Sequence, residues 1–355
     1  MSDSSLLEVR NLRAYYVSKK GIVRAVDDVS FEMRRGECLG ILGESGCGKT
    51  SLALSIIGLF ERMARFSAGI SKIPGLVEAY DTRDGDLQDR PGVSGSVRFC
   101  GRELIGMDEP ELVRIRGRDI SMIPQGLTHA LNPLFSIGYQ TGEPIEVHEE
   151  DARRSAIRKR VLEYLDLVQL ADANTRYVLD PRNFSGGEAQ RILIAMSLIS
   201  GPRLVIADEP TSALDVTVQR QIMNVLTMIR SEFGVSILMI SHDAGVIAEL
   251  SDRVAVMYAG KIMEIGDARQ MFLDPLHPYT AGLMSSFPTI AMMRARIDGR
   301  RPVLRGIRGD PPDLADVPSG CPFHPRCDYA TEICRSEVPE YREIGPGHWI
   351  RCHHR

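Results

Sequence analysis

Residues Gly43 to Thr50 read GESGCGKT, with glycines at the first, fourth and sixth places followed by a lysine and a hydroxyl side chain. A polyphosphate accounts for every fixed position of this G-x-x-x-x-G-K-[ST] spacing. Gly43, Gly46 and Gly48 let the backbone turn tightly enough for its N–H groups to face phosphate oxygens, and a helix behind them adds its positive end. Lys49 reaches the β- and γ-phosphates and the Thr50 hydroxyl binds magnesium, with Glu44, Ser45, Cys47 and Ser51 completing the nucleotide-binding stretch. Leu204 to Pro210, LVIADEP, supplies complementary chemistry. Asp208 ends an apolar run, where its carboxylate holds magnesium through water. Glu209 follows at once, placed to polarise an attacking water as general base. Cys47 sits at the start of the expected helix, where a thiolate is stabilised; it reads first as a small filler, with a readily alkylated thiol shielded by nucleotide as the alternative.

A second group of reactive side chains closes the chain. Cys321, Cys327, Cys334 and Cys352 are spaced C-x5-C-x6-C-x17-C, unlike the C-x2-C pairs of common zinc modules. Four thiolates suit a four-iron, four-sulfur cluster or zinc. Without a secretory signal, a disulfide framework is not expected. His348, His353 and His354 read as a solvated basic tail, with ligation as the alternative.

The elements that must position these groups are legible as alternating strand and helix signals. Leu6 to Val17 and Val23 to Met33 flank the turn-like Lys19-Lys20-Gly21 and read as antiparallel strands. Glu37 to Gly43 reads as a buried strand leading into the glycine loop and a helix bearing Leu52, Ile56, Leu59 and Phe60. Arg203 to Asp208 and Val235 to Ser241 read as buried parallel strands separated by a helix from Thr217 to about Glu232. Two further strands form a closing hairpin around Ala259-Gly260. Between these halves, Asp151 is expected to cap a helix running to Leu170, and a nearly apolar helix starts at Gly186. Glu61 to Gly95 reads as a long polar loop, and the composition shift after Asp274 puts a domain boundary near Met271.

Composition narrows the function classes. The 355 residues are 43% hydrophobic, enough for a full core and more than one compact domain. A net charge of -4 provides no overall basic field, so nucleic acid is not an expected partner. The N-terminus lacks the pattern of a signal peptide, and the longest apolar run, Ile192 to Ile199, is far short of the roughly 20 residues of a membrane span. Any pore must come from other chains.

Between the two nucleotide motifs lies FSGGEAQR, Phe184 to Arg191. In this order the three strings resemble ATP-binding cassette (ABC) ATPases. The resemblance implies an α/β P-loop fold: a mixed-sheet core, an antiparallel β subdomain and an α-helical subdomain over about 126–200, with a small Cys-rich C-terminal extension. It implies that Ser185, Gly186, Gly187 and Glu188 act on ATP held by a partner subunit, and that Ser212, Ala213, Leu214 and Asp215 form a D-loop crossing to that partner. Gln125, in MIPQGLTHALNP, matches a glutamine that binds magnesium and senses the γ-phosphate, although the family's acidic-Pro pair is here Gly126-Leu127. His242 matches the switch histidine. Tyr16 matches the aromatic residue that stacks on adenine, with Tyr15 as the fallback.

PTSALDVTVQ, HPYTAGLMSSFP (His277 to Pro288) and GDPPDLADVPSGCPFHPRC (Gly309 to Cys327) further resemble the ATPases of oligopeptide and dipeptide permeases. This group implies an ATP-binding domain over 5–270 and a C-terminal extension over 271–355 whose four cysteines hold a 4Fe–4S cluster, with zinc as the alternative. It also implies a peripheral position on the cytoplasmic face of the membrane. The implied partners are two membrane permease subunits, a second, different ATPase chain and an extracytoplasmic binding protein. Peptide import is the expected function; nickel or oligosaccharide import is the alternative. A soluble ABC ATPase of translation or repair is disfavoured by the single phosphate loop and the absence of room for a coiled coil, and a non-catalytic cassette by the presence of Lys49, Asp208, Glu209 and His242.

Overall fold

The computed structural model describes residues 5–67, 91–126, 130–212, 214–287 and 306–355. Their strands, in chain order, are β1 (Leu7–Ser18), β2 (Gly21–Met33), β3 (Cys38–Leu42), β4 (Gly92–Phe99), β5 (Arg102–Glu103), β6 (Ile120–Ile123), β7 (Leu204–Asp208), β8 (Ser236–Ser241), β9 (Arg253–Tyr258), β10 (Lys261–Asp267), β11 (Tyr341–Gly345) and β12 (His348–Arg351). The chain divides into two compact units, one of Met1–Leu6, Met33–Cys38 and Gly106–Ile240, the other of Leu7–Glu32, Leu39–Ile105 and Ser241–Arg355.

In the first unit, β6, β7 and β8 are parallel neighbours, with Asp208 in register with Ile240. β7 and β8 are buried at every position, as strands covered on both faces must be. Around them pack helices with named caps. Asp215 opens the helix Val216–Phe233 by accepting from the Thr217 and Val218 N–H groups, and Gly234, at φ 63°, closes it in the left-handed conformation that glycine tolerates. The helix Arg154–Leu167 buries Ile157, Val161 and Leu165, the face read from its periodicity. It does not begin at Asp151. Arg153 is its N-cap and makes no side-chain cap, because residues 149–152 are held in a turn by the Ala152 N–H on the Glu149 carbonyl.

In the second unit, β5, β4, β1 and β2 lie side by side, and β11, β12, β10, β9 and β3 form another row. β3 runs parallel to β9, and β9 and β10 form the expected hairpin. Of the stretch Glu61 to Gly95 expected as a loop, residues to Ser67 belong to the helix Phe60–Ser67 and those from Gly92 to β4, while 68–90 lie outside the described residues. The boundary expected near Met271 does not coincide with a break between units, since β12 pairs antiparallel with β10.

Buried polar contacts explain that attachment. The Glu264 carboxylate on β10 accepts from the Leu276 and His277 N–H groups and lies 2.9 Å from His348 Nε2. His348 is therefore buried at 4% exposure, not part of a solvated tail. His277 caps the helix Pro278–Ser285 through Nδ1, which accepts from the Tyr279 N–H. Burial holds this imidazole neutral, its pKa down at about 3, which keeps Nδ1 an acceptor. Among the described residues no helix is long and apolar enough to cross a membrane.

Candidate nucleotide site

β3 is buried throughout and delivers the chain into the glycine loop, with the helix Lys49–Ile56 behind it. Gly46 and Gly48 adopt φ +79° and +107°. A Cβ on Gly48 would run into the Ala25 carbonyl and one on Gly43 into that of Met257, so the loop lies directly on neighbouring backbone. Lys49 is 6% exposed, and its ammonium donates to the carbonyls of Gly43 and Glu44 at 2.8 and 3.0 Å. Thr50 is exposed one residue into the helix, as a magnesium-binding hydroxyl must be, and Ser51 follows it. A cradle that admits no Cβ at Gly43 or Gly48, closed by a buried ammonium, fits a polyphosphate.

Burial decides between the two readings of Cys47. Its side chain is 4% exposed and burial raises its pKa, which outweighs the opposing pull of Lys49. The thiol is a packed filler, not an exposed thiolate. Tyr15, the fallback for adenine stacking, is 3% exposed and donates to Asp27 Oδ1 at 2.6 Å, so its ring belongs to the core. Tyr16 is half-buried with its ring edge-on to Phe60.

Glu44, a loop residue, is fastened from outside the loop. Its carboxylate accepts a two-pronged contact from Arg326, at 2.7 and 3.0 Å, and its N–H donates to the Tyr279 hydroxyl at 3.1 Å. Both partners come from the C-terminal region. The basic residue inside CPFHPRC was the one available signal.

In the other unit Asp208 is 1% exposed at the end of β7. Glu209 has φ 49°, a left-handed backbone that disfavours a non-glycine residue by about 1–2 kcal/mol. Its N–H donates to the Ile240 carbonyl and its own carbonyl accepts from Ser212, which hold it there. Gln125 Nε2 donates to Glu209 Oε2 at 2.7 Å, so two residues expected to serve one reaction meet across 84 positions. Of the D-loop, Leu214 N–H donates to Thr211 and Asp215 caps the next helix; Ala213 lies outside the described residues. His242 is exposed immediately after β8, ahead of the short helix capped by Asp243.

Ser185 is the N-cap of the helix Gly186–Leu198. It forms a reciprocal capping box with Glu188, whose carboxylate also pairs with Arg176 at 2.6 Å. The Arg176 guanidinium lies 4.3 Å above the Phe184 ring, which explains an aromatic residue at that position. Gly187 has no room for a larger side chain, since a Cβ would meet Val218. Arg176 holds the Glu188 carboxyl down at about 2, against 4.5 ordinarily. A depressed folded-state value stabilises the cap at pH above about 4.5, and that contribution fades as pH falls toward 2. The melting-temperature gap between the native chain and Glu188→Gln is therefore expected to be widest near neutrality and to close below pH 4, as thermal melts across that range will show.

The four tail cysteines line one cavity of about 330 Å³. All four are free; burial raises Cys321 to about 11 and also raises Cys327 and Cys352. His354 lies 3.5 Å from Cys334, and His353 contacts the Glu337 carbonyl. Among the described residues no three Cys, His, Asp or Glu side chains come close enough together to hold a single ion.

The ABC transporter family matches residues 26–73 and 86–212, and the oligopeptide/dipeptide transporter C-terminal region matches 263–334. The chain is 40% identical to the oligopeptide transport ATP-binding protein OppD of Escherichia coli over 98% of its own length and 93% of that protein. It belongs to the ATP-binding proteins of oligopeptide/dipeptide ABC transporters. The OppD of Haemophilus influenzae is 42% identical, with 98% and 96% covered, and the dipeptide transport ATP-binding protein DppD of Bacillus subtilis 40%, with 98% and 94%. As an ABC ATPase it shares its fold with a dimeric cassette, MJ0796, solved in a post-hydrolysis state with ADP and Pi, at a TM-score of 0.59, 24% identity and coverage of 74% of this chain and 99% of that one.

Proposed function

We propose that this ATPase energises import of di- and oligopeptides. The observation that carries the reading is similarity at about 40% identity, over nearly the full length, to proteins named for oligopeptide and dipeptide transport. In this reading residues 5–270 form the ATP-binding domain and 271–355 its extension. The chain sits on the cytoplasmic face of two permease subunits, beside a second, different ATPase chain, and an extracytoplasmic binding protein delivers substrate. Exposed Leu134, Phe135 and Tyr139, beyond Gln125, offer an apolar patch for a permease.

ATP binds on the phosphate loop, with Lys49 against its β- and γ-phosphates and Tyr16 against adenine. The partner's ATP is closed over by Ser185, Gly186 and Gly187. Thr50, Gln125 and Asp208 would hold magnesium, which would offset phosphate charge. Glu209 takes the proton of the attacking water, Gln125 orients that carboxylate, and His242 donates to the γ-phosphate. Proteoliposomes carrying the complete transporter are expected to take up peptides with ATP; uptake of nickel or glycans instead would overturn the substrate assignment.

The extension is assigned a 4Fe–4S cluster on Cys321, Cys327, Cys334 and Cys352. Its support is that all four thiols line one cavity, and four thiolates are a ligand set such a cluster takes. Such a cluster would staple a segment with little core of its own. Anaerobically purified protein should be brown; a colourless preparation with stoichiometric zinc reverses the assignment.

A further inference from the structure

Arg326 is the least expected charge in the second unit. Its side chain is only 5% exposed, yet it lies on a short turn, His324–Arg326, between two cavity-lining cysteines. Its Nε donates to the Arg308 carbonyl at 2.8 Å and its terminal nitrogens to Glu44 and the Gly309 carbonyl. A two-pronged guanidinium–carboxylate contact fixes orientation as well as distance. Tyr279, fully buried, fastens the same residue by its main chain, accepting the Glu44 N–H. Phe323 wedges these groups together, its ring centroid 5.4 Å from Tyr258 and 5.2 Å from Tyr279.

What Glu44 does inside the loop gives these contacts their meaning. Its carbonyl accepts from Lys49 Nζ at 3.0 Å and from the Cys47 N–H at 3.3 Å. One residue is thus held from outside at its amide and carboxylate, and holds from inside the ammonium that meets phosphate. We infer that Arg326 and Tyr279 are positioning residues for nucleotide binding, acting through Glu44 to set the phosphate loop and Lys49. Nucleotide affinity in this chain therefore depends on a segment more than 230 residues away from the loop in sequence. The inference rests on the phosphate-loop assignment and is independent of what fills the cysteine cavity.

The test uses the full-length chain and equilibrium binding of a fluorescent ATP analogue, with kcat, KM and thermal melts alongside. Glu44→Gln and Arg326→Gln are each expected to raise Kd about tenfold, and the double variant to be no weaker than either alone, as for residues acting through one contact. Tyr279→Phe, which removes only a hydroxyl, is expected to raise Kd about fivefold. KM should follow Kd while kcat at saturation stays within about twofold. Unchanged Kd in Arg326→Gln and Tyr279→Phe overturns the inference, as does an Arg326→Gln effect that persists undiminished in the Glu44→Gln background. Should Arg326→Gln fail to fold, Tyr279→Phe and Glu44→Gln decide by the same criterion. Lys49→Ala separates the two levels: if it leaves ATP binding intact, the phosphate-loop assignment itself fails, and if it alone weakens binding, only the role of Arg326 and Tyr279 does.

Discussion

Glu209→Gln is expected to bind ATP with nearly native affinity and to lose turnover by about 10²–10⁴-fold, the range for removal of a positioned general base. The substitution preserves size, and glutamine still offers an acceptor to Gln125 Nε2, which lies 2.7 Å from the present carboxylate. What disappears is the ability to take a proton. The backbone at this residue supports a demanding role, because φ 49° is a left-handed conformation held in place by backbone contacts to Ile240 and Ser212. Phosphate release measured beside equilibrium nucleotide binding checks both halves. Unchanged ATPase activity removes Glu209 from the reaction.

The second large effect concerns shape. Gly48→Ala is expected to weaken ATP binding by about 10²-fold or more, from combined backbone strain and overpacking of a few kcal/mol. Its φ of +107° suits glycine alone, and the new methyl group would fall on the Ala25 carbonyl, which cannot rotate away. Gly46→Ala is the internal control. Gly46 also has positive φ, +79°, but no atom lies within 4 Å of its added Cβ, so only the strain applies and the loss should be much smaller. Titrations of the two variants with ATP distinguish them, and equal losses would show that the contact with β2 is unimportant.

Much of the fold was legible because its signals are local. β3, β7 and β8 are mainly apolar runs, and the helices Gly186–Leu198 and Val216–Phe233 lie where their periodicity predicts them. Elements that were missed have weak local signals. β12 is four residues, His348–Arg351, and becomes a strand because β10 offers an edge to pair with. β6 and the helix Ile137–His148 likewise escaped, the latter carrying Pro144 inside it. Asp151 was a plausible cap by residue type, but the backbone turns before the helix begins.

By itself the sequence determined the chemistry: glycine spacing for a phosphate, paired carboxylates after a buried strand, and a Ser-Gly-Gly helix start are properties of neighbouring residues, and short-range stereochemistry dictates them. Only the tertiary structure decided which side chains share that chemistry. Gln125 meets Glu209, His348 is drawn into the core by Glu264, Cys47 is buried, and Glu44 is gripped by Arg326 and Tyr279. Each depends on residues tens to hundreds of positions apart, or on burial by such residues, and no periodicity or spacing records that. Burial and pairing then set charge states and positions that residue type leaves open.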